Sequence, residues 1–198
     1  MENNAFFTLF SENIASWLIL SSLILFALYT LVTIKTESSD FLDEAVFYSL
    51  KQIKLPIPYW WTIIEQEEDK KLVFKRTDTY YDWNAHFSYL DSSQNLDLLL
   101  GDYLQDNKIE FDPDVSIETR NNLLFTDQST LSAIQSCIRV EGKATQDEHE
   151  RLHLEIYLFR LKNDSRCYFF CSKSSVLNGL VEGPFFEEAI LNMKLISS

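Results

Sequence analysis

The chain has 198 residues, of which 46% are hydrophobic, a composition typical of a globular protein. Its 30 Asp and Glu residues outnumber its 17 Lys and Arg residues and give a formal net charge of -13. Such a surface repels phosphate backbones, which argues against nucleic-acid binding, and three cysteines are too few for a disulfide framework.

An uncharged apolar segment near the N-terminus predicts a single transmembrane helix. Ile14–Ile34 is 21 residues long without a charge, and at 1.5 Å per residue such a helix covers the ~30 Å hydrocarbon layer. Residues 1–13 form a tail that lacks the Lys and Arg of a signal peptide, and no small-residue cleavage site follows the segment. We therefore expect an uncleaved anchor at 14–34, a linker at 35–45 and one soluble domain at 46–198.

Few charges specify the side of the membrane on which the domain lies. No Lys or Arg precedes the apolar segment, whereas Lys35, Lys51 and Lys54 follow it, so the positive-inside rule favours a cytoplasmic domain. This predicts a single-pass protein of the cell (inner) membrane that meets membrane lipid through Ile14–Ile34. The sequence shows no polybasic segment, so the helix alone is expected to anchor the chain in the membrane.

The first part of the domain has the residue patterns of β-strands. Pro56 and Pro58 predict an extended segment that does not pair in an ordinary ladder. Apolar runs on both sides of the charged segment EQEEDKK predict a hairpin, and alternation of apolar and polar residues predicts a further half-buried strand. The predicted strands are Val46–Leu50, Trp61–Ile64, Leu72–Arg76 and Trp83–Tyr89.

The second part predicts two helices around three more strands. Apolar residues at helical spacing predict an amphipathic helix with Ser93 as its N-cap, and Gly183 and Pro184 predict the start of a final helix. Short polar connections between the strands indicate an antiparallel meander. The helical stripe is Leu96, Leu99, Leu100, Tyr103 and Leu104, and the strands are Ala133–Thr145, Leu152–Leu161 and Cys167–Ser172. Together these elements predict an α+β fold in which two helices pack on an antiparallel sheet.

The order of these elements resembles that of the PsbP-like and DcrB-like α/β/α domains. The resemblance rests on IKLPIPYWW (Ile53–Trp61), where such domains often have an apolar-Pro-x-x-Trp element, and on the closing helix FFEEAILNMKLI (Phe185–Ile196). It implies a non-catalytic binding or assembly module, often of the bacterial envelope or the thylakoid lumen. The location of those domains favours an extracytoplasmic domain here, whereas the lysines that follow the apolar segment favour a cytoplasmic one. The sequence leaves this conflict open.

The segment His149-Glu150-Arg151-Leu152-His153 matches H-E-x-x-H, the zinc motif of metallopeptidases. On a helix, His149 and His153 would share one face and bind zinc, while Glu150 would activate the bound water. From Leu152, however, apolar residues alternate with a period of two, which favours a strand. A strand would hold the two histidines roughly 13 Å apart, too far to share a metal ion. We therefore expect no metal and no cofactor, with the zinc site as an alternative.

The cysteines Cys137, Cys167 and Cys171 are interpreted as small buried hydrophobic residues. Four residues along a strand place Cys167 and Cys171 roughly 13 Å apart, too far for a disulfide. A bridge from Cys137 to either one stays open.

Two aromatic pairs and an acidic turn predict a protein-binding surface. Adjacent residues on a strand face opposite sides, so not all of Trp60, Trp61, Tyr80 and Tyr81 can point inward. The acidic turn that carries Glu67 and Glu68 would steer a basic partner towards an exposed aromatic side chain.

The sequence thus predicts a non-catalytic binding domain on a membrane anchor, an accessory or assembly subunit of a membrane or envelope protein complex. An inhibitor or immunity-type protein that binds a basic partner fits the same features. The alternative from another class is a membrane-bound zinc metallopeptidase. The sequence contains no phosphate-binding glycine loop and no nucleophile motif, so it does not point to a small-molecule substrate.

Overall fold

The computed structural model describes residues 2–77, 82–119, 125–162 and 164–196. The chain divides into two units, Met1–Asp43 and Glu44–Ser198.

The first unit consists of one long helix, α1 (Glu2–Glu44). The helix continues through residues 35–44, where the sequence predicted a linker, because KTESSDFLDE contains no Pro or Gly that would end it. Along its middle part the described apolar side chains are exposed, with Leu25 and Tyr29 among them. In the part of the chain that the structure describes, no helix has both the length and the hydropathy needed to cross a membrane.

The second unit contains eleven strands and three helices within its described residues. The strands are β1 (Val46–Leu50), β2 (Ile53–Ile57), β3 (Trp61–Glu67), β4 (Lys71–Arg76), β5 (Trp83–Leu90), β6 (Ile109–Phe111), β7 (Ser116–Thr119), β8 (Ile134–Gln146), β9 (Glu150–Leu161), β10 (Cys167–Ser174) and β11 (Lys194–Leu195). The helices are α2 (Leu96–Asp106), α3 (Gln128–Ala133) and α4 (Val176–Leu191).

The strands form two antiparallel sheets. A small sheet has the order β1-β2-β11, and a large sheet has the order β3-β4-β5-β10-β9-β8-β6, with β7 also paired to β8. The predicted hairpin is β3–β4, and the predicted meander is β8–β9–β10. The mixed α+β class with antiparallel sheets is therefore confirmed.

The two longer helices of this unit pack on opposite faces of the large sheet, as alternation along β9 requires. Leu152, Leu154, Ile156 and Leu158 face α2, and the core on that side includes Leu96, Ala144, Cys167 and Cys171. The intervening residues of β9 face α4, where the ring of Tyr157 lies 6.0 Å from that of Phe186. Helix α4 also contacts β2, so it fills the space between the two sheets.

Three local predictions are wrong, each for an identifiable reason. Pro56 lies in a paired strand, because β11 covers β2 only at Ile53 and Lys54 and leaves the rest with one neighbour. The N-cap of α2 is Asn95 rather than Ser93, because the Asn95 side chain accepts from the Asp97 amide at 3.2 Å. Helix α4 begins at Val176, so Pro184 lies inside it rather than at its start.

Candidate functional site

A cluster of four carboxylates surrounds the half-buried guanidinium of Arg139. Its nitrogens lie 2.7 Å from Glu141, 2.8 Å from Glu155, 3.1 Å from Glu187 and 3.3 Å from Glu118. The side chain of Arg139 is 11% exposed, and that of Glu155 is 2% exposed, whereas the other three carboxylates are about one-third exposed. We call Arg139, Glu118, Glu141, Glu155 and Glu187 the acidic cluster.

Strand register and one helix bring the acidic cluster together. Glu118 of β7 pairs with Arg139 of β8, and Glu141 of β8 pairs with Glu155 of β9, so all four side chains share one face of the sheet. Glu187 reaches them from α4.

Gly179 lets α4 approach this face closely, whereas Gly183 leaves ordinary van der Waals distance. A Cβ atom at Gly179 would lie 2.4 Å from Cγ of His153, and one at Gly183 would lie 3.9 Å from a carboxylate oxygen of Glu155. Only a residue without a side chain therefore fits at Gly179 while His153 keeps its position.

Burial and mutual repulsion change the ionisation of the cluster. Burial raises the pKa of Glu155 to about 8, although Arg139 opposes that shift, so at neutral pH its carboxyl group is mostly protonated. Burial also raises the pKa of Glu187 and lowers the pKa of His153, whose ring lies 3.8 Å from Glu141. One guanidinium is then shared by the remaining carboxylates, and the mouth of the cluster keeps an excess of negative charge.

An apolar rim and a cavity adjoin the acidic cluster. A cavity of about 330 Å³ is lined by Val176 and Leu177 from the first turn of α4, together with Asp114, Gly142, Lys143 and His153. Leu177 is 78% exposed, and Val181, one turn further along α4, is 41% exposed. We call the acidic cluster, this cavity and these exposed apolar residues the acidic crevice.

The predicted aromatic residues occupy different environments. Trp61 is buried, donates from its indole nitrogen to the buried Glu182 at 2.8 Å and packs 4.3 Å from the ring of Trp83. Trp60 is half-buried between Phe185 and Tyr59, with ring centroids 5.0 Å away on each side. Tyr80 and Tyr81 lie outside the described residues. Of the Trp60/Trp61 pair, Trp61 is therefore a core residue.

The predicted acidic residues lie far from Trp60 and Trp61. Glu67 ends β3 and Glu68 follows in the turn, both exposed, whereas Trp60 and Trp61 lie at the start of the same strand. At 3.3 Å per residue the two ends of β3 are roughly 20 Å apart, so these residues do not form one small site.

The H-E-x-x-H segment is not helical. Residues 147–149 form a turn and Glu150 begins β9, so the prediction of a strand or turn is confirmed. His153 lies under α4 in the acidic crevice, and His149 lies in the turn before the strand. Within the described residues no group of three or more potential ligands is arranged to hold a metal ion.

The cysteines offer little nucleophilic chemistry. Cys137, Cys167 and Cys171 are free and buried. Burial raises the pKa of the Cys137 and Cys171 thiols to about 12 and that of Cys167 to about 11, so the reactive thiolate forms are scarce at neutral pH.

Sequence reasoning missed the acidic cluster, because its members come from four elements and no local motif joins them. The spacing of Arg139 and Glu141 on a predicted strand does place both side chains on one face. Nothing local, however, indicates that Glu118 and Glu187 join them, since β7 was not predicted and no local pattern shows where α4 docks on the sheet.

Comparisons with known proteins give similar folds only. No family model and no curated protein matches the sequence. Similar solved structures include a Bacteroides thetaiotaomicron protein, with a TM-score of 0.46, 12% identity and 77% of this chain covered. This chain covers 48% of that protein, about half its length.

Two further similar structures are those of named proteins. One is the cyanobacterial PsbP of Synechocystis, with a TM-score of 0.48 and 10% identity, covering 76% of this chain and 92% of that one. The other is the Ran-binding protein Mog1p of Saccharomyces cerevisiae, with a TM-score of 0.46 and 9% identity, covering 78% and 96%. All three TM-scores are below 0.5, so the proposals below are argued from the residues of this chain.

Proposed function

We propose that this chain is a single-pass membrane protein whose domain is a non-catalytic module that binds a basic protein partner. In this role it is an accessory or assembly subunit of a membrane or envelope protein complex. The observation that carries the proposal is the acidic crevice, where several carboxylates share the one guanidinium of Arg139 beside the exposed Leu177.

The chemistry of the crevice fits a Lys or Arg side chain of a partner. Glu118, Glu141 and Glu187 each retain about one-third exposure, so their remaining hydrogen-bonding positions are open to a cation. Leu177 and Val181 offer apolar area next to these charges. An apolar contact surrounded by charges is the arrangement in which a few residues supply most of the binding energy.

The crevice is tested by photo-crosslinking from inside it. A photoreactive amino acid in place of Leu177 should give an adduct of defined mass in intact membranes. The matched control is the same replacement of Leu98, which is 58% exposed on α2, on the opposite face of the sheet. We expect the adduct from position 177 only, and its loss when Glu118→Gln and Glu187→Gln are added. Equal adducts from both positions, or an adduct that survives both charge removals, contradicts the proposal.

The anchor part of the proposal is supported by the uncharged segment Ile14–Ile34 and by the exposure of its described apolar side chains. The full chain should remain with membranes during carbonate extraction. Replacing Ile24 and Leu25 together by Arg should release it, because each charge at the centre of a span costs about 3 kcal/mol. The control Leu98→Arg should stay in the membrane fraction. A wild-type chain that carbonate releases contradicts the anchor.

The side of the membrane is proposed from the charges flanking the segment. Lys35 follows it and no Lys or Arg precedes it, so we expect the domain in the cytoplasm. A protease added to cells that have lost only their outer barriers should leave a C-terminal tag intact. Cleavage of that tag places the domain outside.

An inhibitor or immunity role would use the same acidic crevice. It differs in the partner, which would then be a secreted basic protein rather than a stable subunit of the membrane complex. Identification of the Leu177 adduct by mass spectrometry separates the two roles.

A further inference from the structure

The small sheet presents a basic and apolar surface on a strongly acidic domain. The first 35 residues contribute only Glu2, Glu12 and Lys35, so the rest of the chain carries a net charge of -12. Yet β1, β2, β11 and the turn between β1 and β2 contain no Asp or Glu, and they carry Lys51, Lys54 and Lys194. The three lysines are exposed.

Strand pairing gathers these lysines from distant parts of the sequence. Lys194 of β11 pairs with Lys54 of β2, so both side chains emerge from the same face of the small sheet. Lys51 lies in the turn where β1 meets β2, and its ammonium group lies 5.7 Å from the centre of the Tyr89 ring of β5. Among the described residues, no carboxylate lies within 4.0 Å of these three ammonium groups, whereas Lys71, Lys108 and Lys173 each have an acidic neighbour within that distance.

Exposed apolar side chains lie among the lysines. Phe47 is 45% exposed, and the ammonium group of Lys54 lies 4.8 Å from the centre of its ring. Ile196 is 42% exposed and directly follows β11, where its amide donates to the carbonyl of Gln52 at 2.8 Å. We call Phe47, Lys51, Lys54, Lys194 and Ile196 the lysine face.

We propose that the lysine face binds the headgroups of anionic lipids in the membrane that α1 enters. The ammonium groups meet the phosphates and carboxylates of those lipids, and Phe47 and Ile196 enter the boundary between headgroups and acyl chains. The rest of the domain is repelled by the same surface, so this attraction orients the domain with its small sheet towards the membrane. The proposal rests on the membrane anchor proposed above.

Lysine labelling in lipid nanodiscs tests this surface on the full chain. The chain is reconstituted once in phosphatidylcholine discs and once in discs that also contain phosphatidylserine, and acetylation of each lysine is followed by mass spectrometry. We expect acetylation of Lys54 and Lys194 to slow about fivefold in the anionic discs. The control is Lys108, whose side chain is 76% exposed and which lies at the far end of α2, and its rate should be unchanged.

Salt and charge removal complete the test. At about 1 M salt the Debye length falls to about 3 Å, and the protection of Lys54 and Lys194 should disappear. In the K51Q variant the protection of Lys54 and Lys194 should weaken, whereas in the K108Q variant it should not.

Three results overturn the proposal. Equal acetylation of Lys54 and Lys194 in both kinds of disc overturns the lysine face alone, and this is also the result expected if the face binds an acidic protein. Equal slowing of Lys108 shows a general effect of the anionic disc and overturns the face as a specific surface. A chain that does not enter the discs overturns the anchor, and the lysine face as a lipid site falls with it.

Discussion

Four carboxyl groups surround the single guanidinium of Arg139, and among them that of Glu155 is the most deeply buried. Glu155 lies on a central strand beneath α4, and a carboxylate there would be both desolvated and surrounded by like charges. The folded protein therefore prefers its protonated form, and folding takes up a proton at neutral pH.

This preference predicts a pH dependence of stability. Because the pKa of Glu155 rises from 4.5 to about 8 on folding, the stability that its protonated form contributes is full below pH 4.5 and is lost as the pH rises towards 8. The Glu155→Gln variant mimics the protonated form at every pH. Its free energy of unfolding should therefore exceed that of the wild type by an amount that grows by roughly 1 kcal/mol per pH unit. Urea unfolding at about pH 5, 6.5 and 8 measures this difference in the free energy of unfolding. A difference that does not change with pH would contradict a raised pKa of Glu155.

A second residue-scale prediction concerns the glycine above His153. In Gly179→Ala the new methyl group would overlap the imidazole ring, and we expect a loss of about 1–2 kcal/mol in the free energy of unfolding. Gly101→Ala is the matched control: it lies inside α2 with no atom within 4 Å of its Cβ position, and should gain about 0.5–1 kcal/mol. In a His153→Gly background, which also removes the His153 Cβ atom that would lie 2.6 Å from the new methyl group, the cost at position 179 should vanish. A cost that persists there would place the close contact elsewhere.

At the scale of elements, the sequence predicts what local periodicity controls. The alternation in Trp83–Tyr89 and Leu152–Leu161 and the helical stripe from Leu96 to Leu104 each correspond to an observed element. The short strands β6, β7 and β11 were missed, because strands of 3, 4 and 2 residues carry no measurable period and their pairing is set by β8 and β2.

The same limit applies to the candidate site. Sequence reasoning weighed His153 as part of a motif, but its place beneath Gly179 depends on where α4 crosses β9. Glu118 lies on β7 and Glu187 lies on α4. Only the register of β7 against β8 and the docking of α4 on the sheet bring them together in the acidic crevice.

The turn between β8 and β9 supplies an element-scale prediction. Asp147 and Glu148 have φ angles of 49° and 67°, a left-handed conformation that costs a side-chain-bearing residue about 1 kcal/mol. Glu148→Gly should therefore raise the free energy of unfolding by about 0.5–1 kcal/mol. The control Glu150→Gly, two residues later in the strand, should lower it by a similar amount. Thermal unfolding of both variants decides, and a loss at position 148 would exclude the left-handed turn.

At the scale of the whole molecule, clusters of negative and of positive charge lie on different surfaces. The domain is acidic overall, the acidic crevice concentrates carboxylates beside α4, and the small sheet carries lysines without acidic neighbours. A basic partner and an anionic membrane would therefore be attracted to different surfaces of the same domain.

This division predicts how salt affects partner binding. Removing charge at the crevice with Glu118→Gln and Glu187→Gln should weaken binding by about 2 kcal/mol, mainly through faster dissociation, because in the proposed complex these carboxylates would contact the partner. Neutralising the exposed Glu67 and Glu68 should change only the association rate and its salt dependence. Association and dissociation rates at two salt concentrations separate the cases. Slower association with unchanged dissociation in the crevice variant would move the contact site elsewhere.

The position of α4 between the two sheets has a consequence for biosynthesis. Phe186, Ala189, Ile190 and Met193 are fully buried there or just beyond the helix, so this late segment completes the core that all earlier strands require. A ribosome releases the strands of both sheets, β11 excepted, before it releases α4. Until then the apolar faces that α4 covers on β2, β5, β9 and β10 are exposed, whereas α2 can already cover the other face of the large sheet. The nascent domain therefore depends on chaperones, or on delayed collapse, for longer than its size would require. Early release of the chain before Val176 should leave an aggregation-prone fragment that proteases remove.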